Sequence, residues 1–154
     1  MRHASRLLAV CASLALLLVA CAGSPGAASP AATAAANARD ASAMDRRLQG
    51  AWRLVDYRPY VAPDPMFQAL LASQVGVMIV RLDHGQLSAD SPTFHVTRPY
   101  RVVTAAGPLF TVESPDVGGA VFTTSGTLSE DGRSISFQGD TEPWRGAGSL
   151  ARVE

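Results

Sequence analysis

The chain has 154 residues, with 13 arginines against 13 acidic side chains and no lysine. This balance lacks the basic footprint that nucleic-acid binding requires, and it offers little for electrostatic adhesion to anionic lipid. With 47% hydrophobic residues the chain has enough apolar material for one small core, and its all-arginine, Ala- and Gly-rich composition fits a GC-rich genome.

The N-terminus reads as a targeting segment. Arg2 and Arg6 precede a run, residues 7–20, that is apolar except for Ser13. A membrane-spanning helix needs roughly 20 apolar residues, so this run suits the hydrophobic middle of a secretory signal that is removed from the mature chain. A retained anchor is the other reading, but no strong charges follow to stop transfer. Leu18-Val19-Ala20-Cys21 then resembles the lipobox of bacterial lipoproteins. The resemblance implies cleavage before Cys21, a diacylglycerol on its sulfur and an acylated new amino group. Two or more acyl chains anchor stably where one does not. Ala22 in place of an aspartate favours the outer membrane in a Gram-negative host; in a high-GC Gram-positive host the anchor lies in the plasma membrane. On this reading Cys11 is discarded and Cys21 is committed to lipid, so the mature domain holds no disulfide, no thiol nucleophile and no cysteine-based zinc site. Removal of Arg2 and Arg6 leaves 11 arginines against the 13 acids.

Residues 22–44 are nearly all Ala, Ser, Gly, Pro, Thr and Asn. Pro25 and Pro30 interrupt the Ala-rich run and no apolar face is evident, so the stretch is expected to be a disordered tether of about 25–30 Å r.m.s. length. The expected organisation is a signal peptide (1–20), a lipidated cysteine with its tether (21–44) and a single domain (45–154), with a short helical turn at 45–48.

Within the domain, turn signals recur between β-rich runs, the pattern of a sandwich or barrel. Strands are expected at 50–59, 76–82, 86–89, 93–104, 109–114, 120–129, 133–139 and 144–153. Pro99 interrupts the fourth, as at a bulge or an edge, and Asp131-Gly132 marks a hairpin turn. Residues 63–74 look helical. Asp64 is a plausible N-cap, Pro65 fits the first helical position, and Met66, Phe67, Leu70 and Leu71 form one apolar stripe. The expected fold is all-β: a small antiparallel up-and-down barrel of about eight strands, with one short helix between strands one and two.

Gly50-Ala51-Trp52 at the domain start resembles the Gly-x-Trp opening of lipocalin-like domains. The resemblance covers about residues 48–154 and extends to the strand 85–89, the strand around Tyr100 and the closing segment with Arg152. It implies that Trp52 plugs the barrel base and that Arg152, from the last strand, packs across it as a cation–π pair. Compared with full-size lipocalins the chain is short, with tight turns and no long C-terminal helix. Small barrels can be filled by their own side chains, so a ligand cavity does not follow from the motif.

Alternation along 93–104 places Phe94, Val96, Arg98, Tyr100 and Val102 on one face, inward by hydrophobicity. Arg98 beside Tyr100 is a candidate for binding a carboxylate; the alternatives are an Arg98 re-aimed to solvent at the Pro99 bulge, or one paired with Asp56, which shares the Trp52 and Leu54 face. Phe67 and Leu70 are candidate ligand contacts from the helix. His84 sits in a turn and His95 faces away from the apolar stripe. No metal spacing, phosphate-binding loop or Gly-x-Ser-x-Gly is present and the acidic residues are scattered, so the sequence calls for no catalytic residue, metal or cofactor. Two functions fit. One is a lipid-anchored barrel in the bacterial envelope that binds a small apolar or amphipathic ligand. The other is a solid, non-enzymatic barrel whose loops or edge contact or inhibit an envelope protein.

Overall fold

The computed structural model describes residues 29–115, 118–141 and 145–154. The signal segment, Cys21 and the first part of the expected tether lie outside them. Two helices and nine strands follow in the order α1 (Pro30–Leu48), β1 (Gly50–Pro59), α2 (Pro65–Gln74), β2 (Ile79–Asp83), β3 (Gln86–Ser91), β4 (Phe94–Pro99), β5 (Arg101–Ala106), β6 (Leu109–Pro115), β7 (Val121–Leu128), β8 (Ser134–Gly139) and β9 (Gly146–Arg152).

All strand pairings are antiparallel, in the order β4-β3-β2-β1-β9-β8-β7-β6-β5. Each strand pairs with its sequence neighbour except where β1 meets β9. The two ends of that order, β4 and β5, are separated only by Tyr100. They are the halves of one strand that changes partner midway: β4 pairs with β3, and β5 with β6. Nine segments therefore make eight passes around a nearly closed barrel, with α2 between strands one and two. Pro99 stands at the switch, where a residue without an N–H cannot extend a ladder. The Tyr100 amide still bonds back to the Gly85 carbonyl at 2.8 Å. The Ser114 hydroxyl reaches forward to the Pro99 carbonyl at 2.9 Å, tying β4 to β6 across the seam.

Local sequence explains the short turns. His84 and Gly85 both have positive φ, 45° and 81°, the backbone of a two-residue hairpin turn whose twist matches its flanking strands. In β6 the buried residues Phe110, Val112 and Ser114 alternate with more exposed ones, as a half-buried strand requires.

Two expectations are corrected. Residues 30–44, read as part of a disordered tether, belong to the 19-residue helix α1. Pro30 occupies the first turn, where its missing N–H costs nothing. Ser29 caps it by accepting from the Ala32 amide at 3.2 Å, and the alanines that follow are the best helix formers. The docking face lies at the C-terminal end, where Met44 and Leu48, one turn apart, are buried. Beyond them α1 packs along β5, whose outer edge no strand covers.

The second correction concerns Asp56. The β1–β9 register shifts between Leu54 and Asp56. This bulge adds one residue, Val55, and a one-residue slip exchanges the faces of everything after it. Asp56 therefore leaves the face of Trp52 and Leu54 and pairs with exposed Arg58 at 3.0 Å, while Tyr57 turns inward.

Candidate functional site

The barrel base is built around Trp52, which is fully buried. Its indole N–H donates to the Leu48 carbonyl at 2.8 Å, at the end of α1. Trp52 is paired in register with Arg152, whose guanidinium lies 4.2 Å from the indole ring centre. Arg152 also donates to the carbonyls of Gly132 (2.9 Å), Gln49 (2.9 Å) and Arg47 (2.7 Å). Two of these acceptors lie at the C-terminal end of α1, where unsatisfied carbonyls and the negative end of the helix dipole favour a cation. Gly50 is required twice over: its φ is +122°, and a Cβ there would stand 3.0 Å from Arg152 Nη1. The three residues expected to form the base thus meet there.

Beside this plug, Tyr100 is buried and donates to Asp45 Oδ1 at 2.7 Å. The Gln49 amide donates to the Tyr100 hydroxyl at 3.1 Å and to Asp45 Oδ2 at 3.2 Å, and Gln49 Oε1 accepts from the His84 amide at 2.9 Å. Burial, then the hydrogen bond to and charge of Asp45, push the phenol's pKa above its ordinary value. Tyr100 does not line the barrel cavity. Its hydroxyl holds α1 to the strand.

Above the base the barrel wall borders a half-open cavity of about 230 Å³. Its wall is mostly aliphatic and aromatic: Leu54 and Tyr57 from β1, Val80 and Leu82 from β2, Phe94 and Val96 from β4, Phe110 and Val112 from β6, Phe137 from β8 and Leu150 from β9. Among the described lining residues Arg98 alone carries a charge. It is half-buried, and its guanidinium lies 4.4 Å from the Phe122 ring centre. The Pro99 kink therefore does not turn it away from the interior, and Asp56 sits elsewhere with Arg58.

Phe67 and Leu70, the candidate ligand contacts from the helix, are not among the residues that line the cavity. Phe67 is half-buried and Leu70 is 37% exposed. Helix α2 docks instead through its last turn, where Leu71 and Gln74 are buried. The Gln74 amide donates to Thr93 Oγ1 at 3.1 Å, fastening the helix to the β3–β4 turn.

Residues that the sequence reading missed are Tyr57, Phe122 and Ser114. Ser114 was legible from the alternation Phe110, Val112, Ser114. Tyr57 was hidden by the bulge, and Phe122 only matters once β7 is known to face the seam. Among the described residues no three His, Cys, Asp or Glu side chains come together, and no helix is long and apolar enough to cross a membrane. Comparison with family models, with curated proteins and with solved structures found no match.

Proposed function

We propose that this protein is a lipid-anchored lipoprotein of the bacterial envelope, held through Cys21 at the outer membrane facing the periplasm, whose lipocalin-like barrel takes up a small apolar or amphipathic ligand. The apolar cavity carries this reading. An interior of about 230 Å³ lined by Leu, Val and Phe side chains is larger than the roughly 150 Å³ apolar cavity that already admits benzene. It lies below the roughly 300–1,000 Å³ of drug-sized pockets, so the occupant is small. The Trp52–Arg152 base supports the lipocalin-like reading, because it closes one end of the barrel and leaves the interior above it. The cavity is smaller than the roughly 300 Å³ expected of a ligand-binding barrel, so the solid-barrel alternative, a module that contacts or inhibits another envelope protein, stands beside this reading.

Native mass spectrometry of the mature chain, purified from its own envelope in mild detergent, tests the ligand reading. The expected result is a co-purifying small molecule in addition to the acylated polypeptide. A chain that emerges empty and takes up none of a panel of small apolar probes overturns it. For the anchor, Cys21→Ala is expected to abolish membrane fractionation, and an inhibitor of lipoprotein signal peptidase to block processing. A Cys21→Ala chain that still sediments with membranes through its N-terminus refutes lipidation as the anchor.

A further inference from the structure

The inner wall carries a row in which ring and glycine alternate. Phe110 of β6 pairs in register with Gly126 of β7, Gly126 with Phe137 of β8, Phe137 with Gly148 of β9, and Gly148 with Tyr57 of β1. Residues paired in register on adjacent strands share a face of the sheet, so three rings and two glycines stand side by side across five strands. The glycines are seats for the rings. A Cβ on Gly126 would stand 2.4 Å from Phe110 Cζ, and one on Gly148 would stand 2.7 Å from Phe137 Cζ. Each ring tip therefore occupies space that any residue but glycine would fill. The Tyr57 and Phe137 rings lie nearly parallel, with 21° between their planes and 6.4 Å between their centres. All three rings line the cavity, whereas the two glycines lie beneath them and do not. Glycine weakens a strand interior; here it lets each ring lean along the wall and leaves the lumen beside it open.

We propose that this row selects the ligand: the cavity takes a small apolar molecule bearing an aromatic ring, packed against Phe110, Phe137 and Tyr57, and Gly126 is the position that sets the room for it. This rests on the barrel being a ligand carrier. An aromatic ring gains from offset-stacked or edge-to-face contact with other rings beyond what its buried area provides, and Phe94 and Phe122 add two further rings to the wall. A saturated ring of the same size gains from the area alone. The volume of about 230 Å³, against the roughly 150 Å³ that admits benzene, limits the occupant to about one ring with a short substituent. The two seats differ in what a side chain would meet. At Gly148 a Cβ would also stand 2.5 Å from the Asp56 carbonyl oxygen, so a substitution there strains the β1–β9 pairing. At Gly126 the three nearest atoms all belong to the Phe110 ring. An alanine at 126 therefore pushes that ring off the wall and into the lumen.

The test uses the mature chain carrying Cys21→Ala, which leaves every described residue in place. Calorimetric titration compares benzyl alcohol with cyclohexylmethanol, which share a hydroxyl and a similar size and differ in the aromaticity of the ring. Benzyl alcohol is expected to bind saturably and at least about threefold more tightly. Gly126→Ala is expected to weaken benzyl alcohol at least about tenfold. Adding Phe110→Leu to that variant is expected to recover uptake, because the displaced ring is then gone. Phe137→Leu is expected to narrow the preference for the aromatic probe. Equal binding of the two probes, or tighter binding of cyclohexylmethanol, overturns the aromatic class and leaves the carrier reading standing. A Gly126→Ala chain that binds as the unaltered one does, a folded double variant that stays weak, or a preference unchanged in Phe137→Leu overturns the role of the row. Failure of both probes in the unaltered chain removes the carrier reading and this proposal together. Should Gly126→Ala prove unfolded by circular dichroism, Phe137→Leu and the probe comparison in the unaltered chain still decide.

Discussion

The base around Trp52 and the wall around the β4–β6 seam are built on opposite plans. At the base every polar group has a named partner: the Trp52 indole, the three donors of Arg152, the Tyr100 hydroxyl and both ends of the Gln49 amide. Around the seam the Ser114–Pro99 hydrogen bond ties strand to strand, and the cavity lies behind it. Close packing and satisfied polar groups fix one conformation, and empty apolar volume forfeits contacts that would otherwise add stability. The barrel thus concentrates its rigidity where α1 joins and leaves its slack along the cavity.

The comparison can be broken most forcefully at the base. Trp52→Ala removes a fully buried indole together with the surface that Arg152 stacks on, and is expected to cost about 3–5 kcal/mol in urea denaturation. Arg152→Met keeps bulk but strips three donors from the carbonyls of Arg47, Gln49 and Gly132, with an expected loss of about 2–3 kcal/mol by the same measurement. If either variant melts with the unaltered chain, the base is not the rigid end.

Tyr100→Phe tests the link between base and helix. It is expected to cost about 1 kcal/mol and to speed proteolysis and hydrogen exchange within α1 before any change in the strands. The pH dependence has a definite sign. Because the folded-state pKa of Tyr100 lies above its unfolded value of 10.0, its contribution is fully present below pH 10 and is lost as pH rises from there toward the folded value. Unfolding titrations above pH 10 are expected to show a loss of stability that Tyr100→Phe lacks.

The smallest expected effect lies in the slack region. Ala89→Leu adds bulk from β3 into the cavity. Stability is expected to change by no more than about 1 kcal/mol in either direction, while uptake of small probes is lost. A large destabilisation there would mean that the interior is already full, and the contrast between the two ends would disappear.

How far the sequence revealed these regions depended on the range of the signal. Gly50 and Trp52 were legible only through their resemblance to the opening of lipocalin-like domains, and Arg152 because an antiparallel first and last strand bring the start of one to the end of the other. Arg98 was legible because alternation survives up to Pro99. Tyr100 shows the limit of that rule: period two gives the face of a residue, not its height, and Tyr100 lies level with α1 below the cavity. Asp56 fell to a bulge, which no local composition announced. Helix α1 was missed because a proline reads as a breaker until its position in the first turn is known, and because its only buried residues, Met44 and Leu48, lie at its far end.

The pairing of β1 with β9 carries a temporal consequence. The guanidinium that latches the base comes from Arg152, 103 residues downstream of the Gln49 carbonyl it holds. The meander can assemble hairpin by hairpin from neighbouring segments, but the ring cannot shut until its last strand arrives, and such distant pairings are the slow ones. Closure is therefore a late event in which the wall, the plug and the docking of α1 complete together. An emerging chain stays open until its last residues are available.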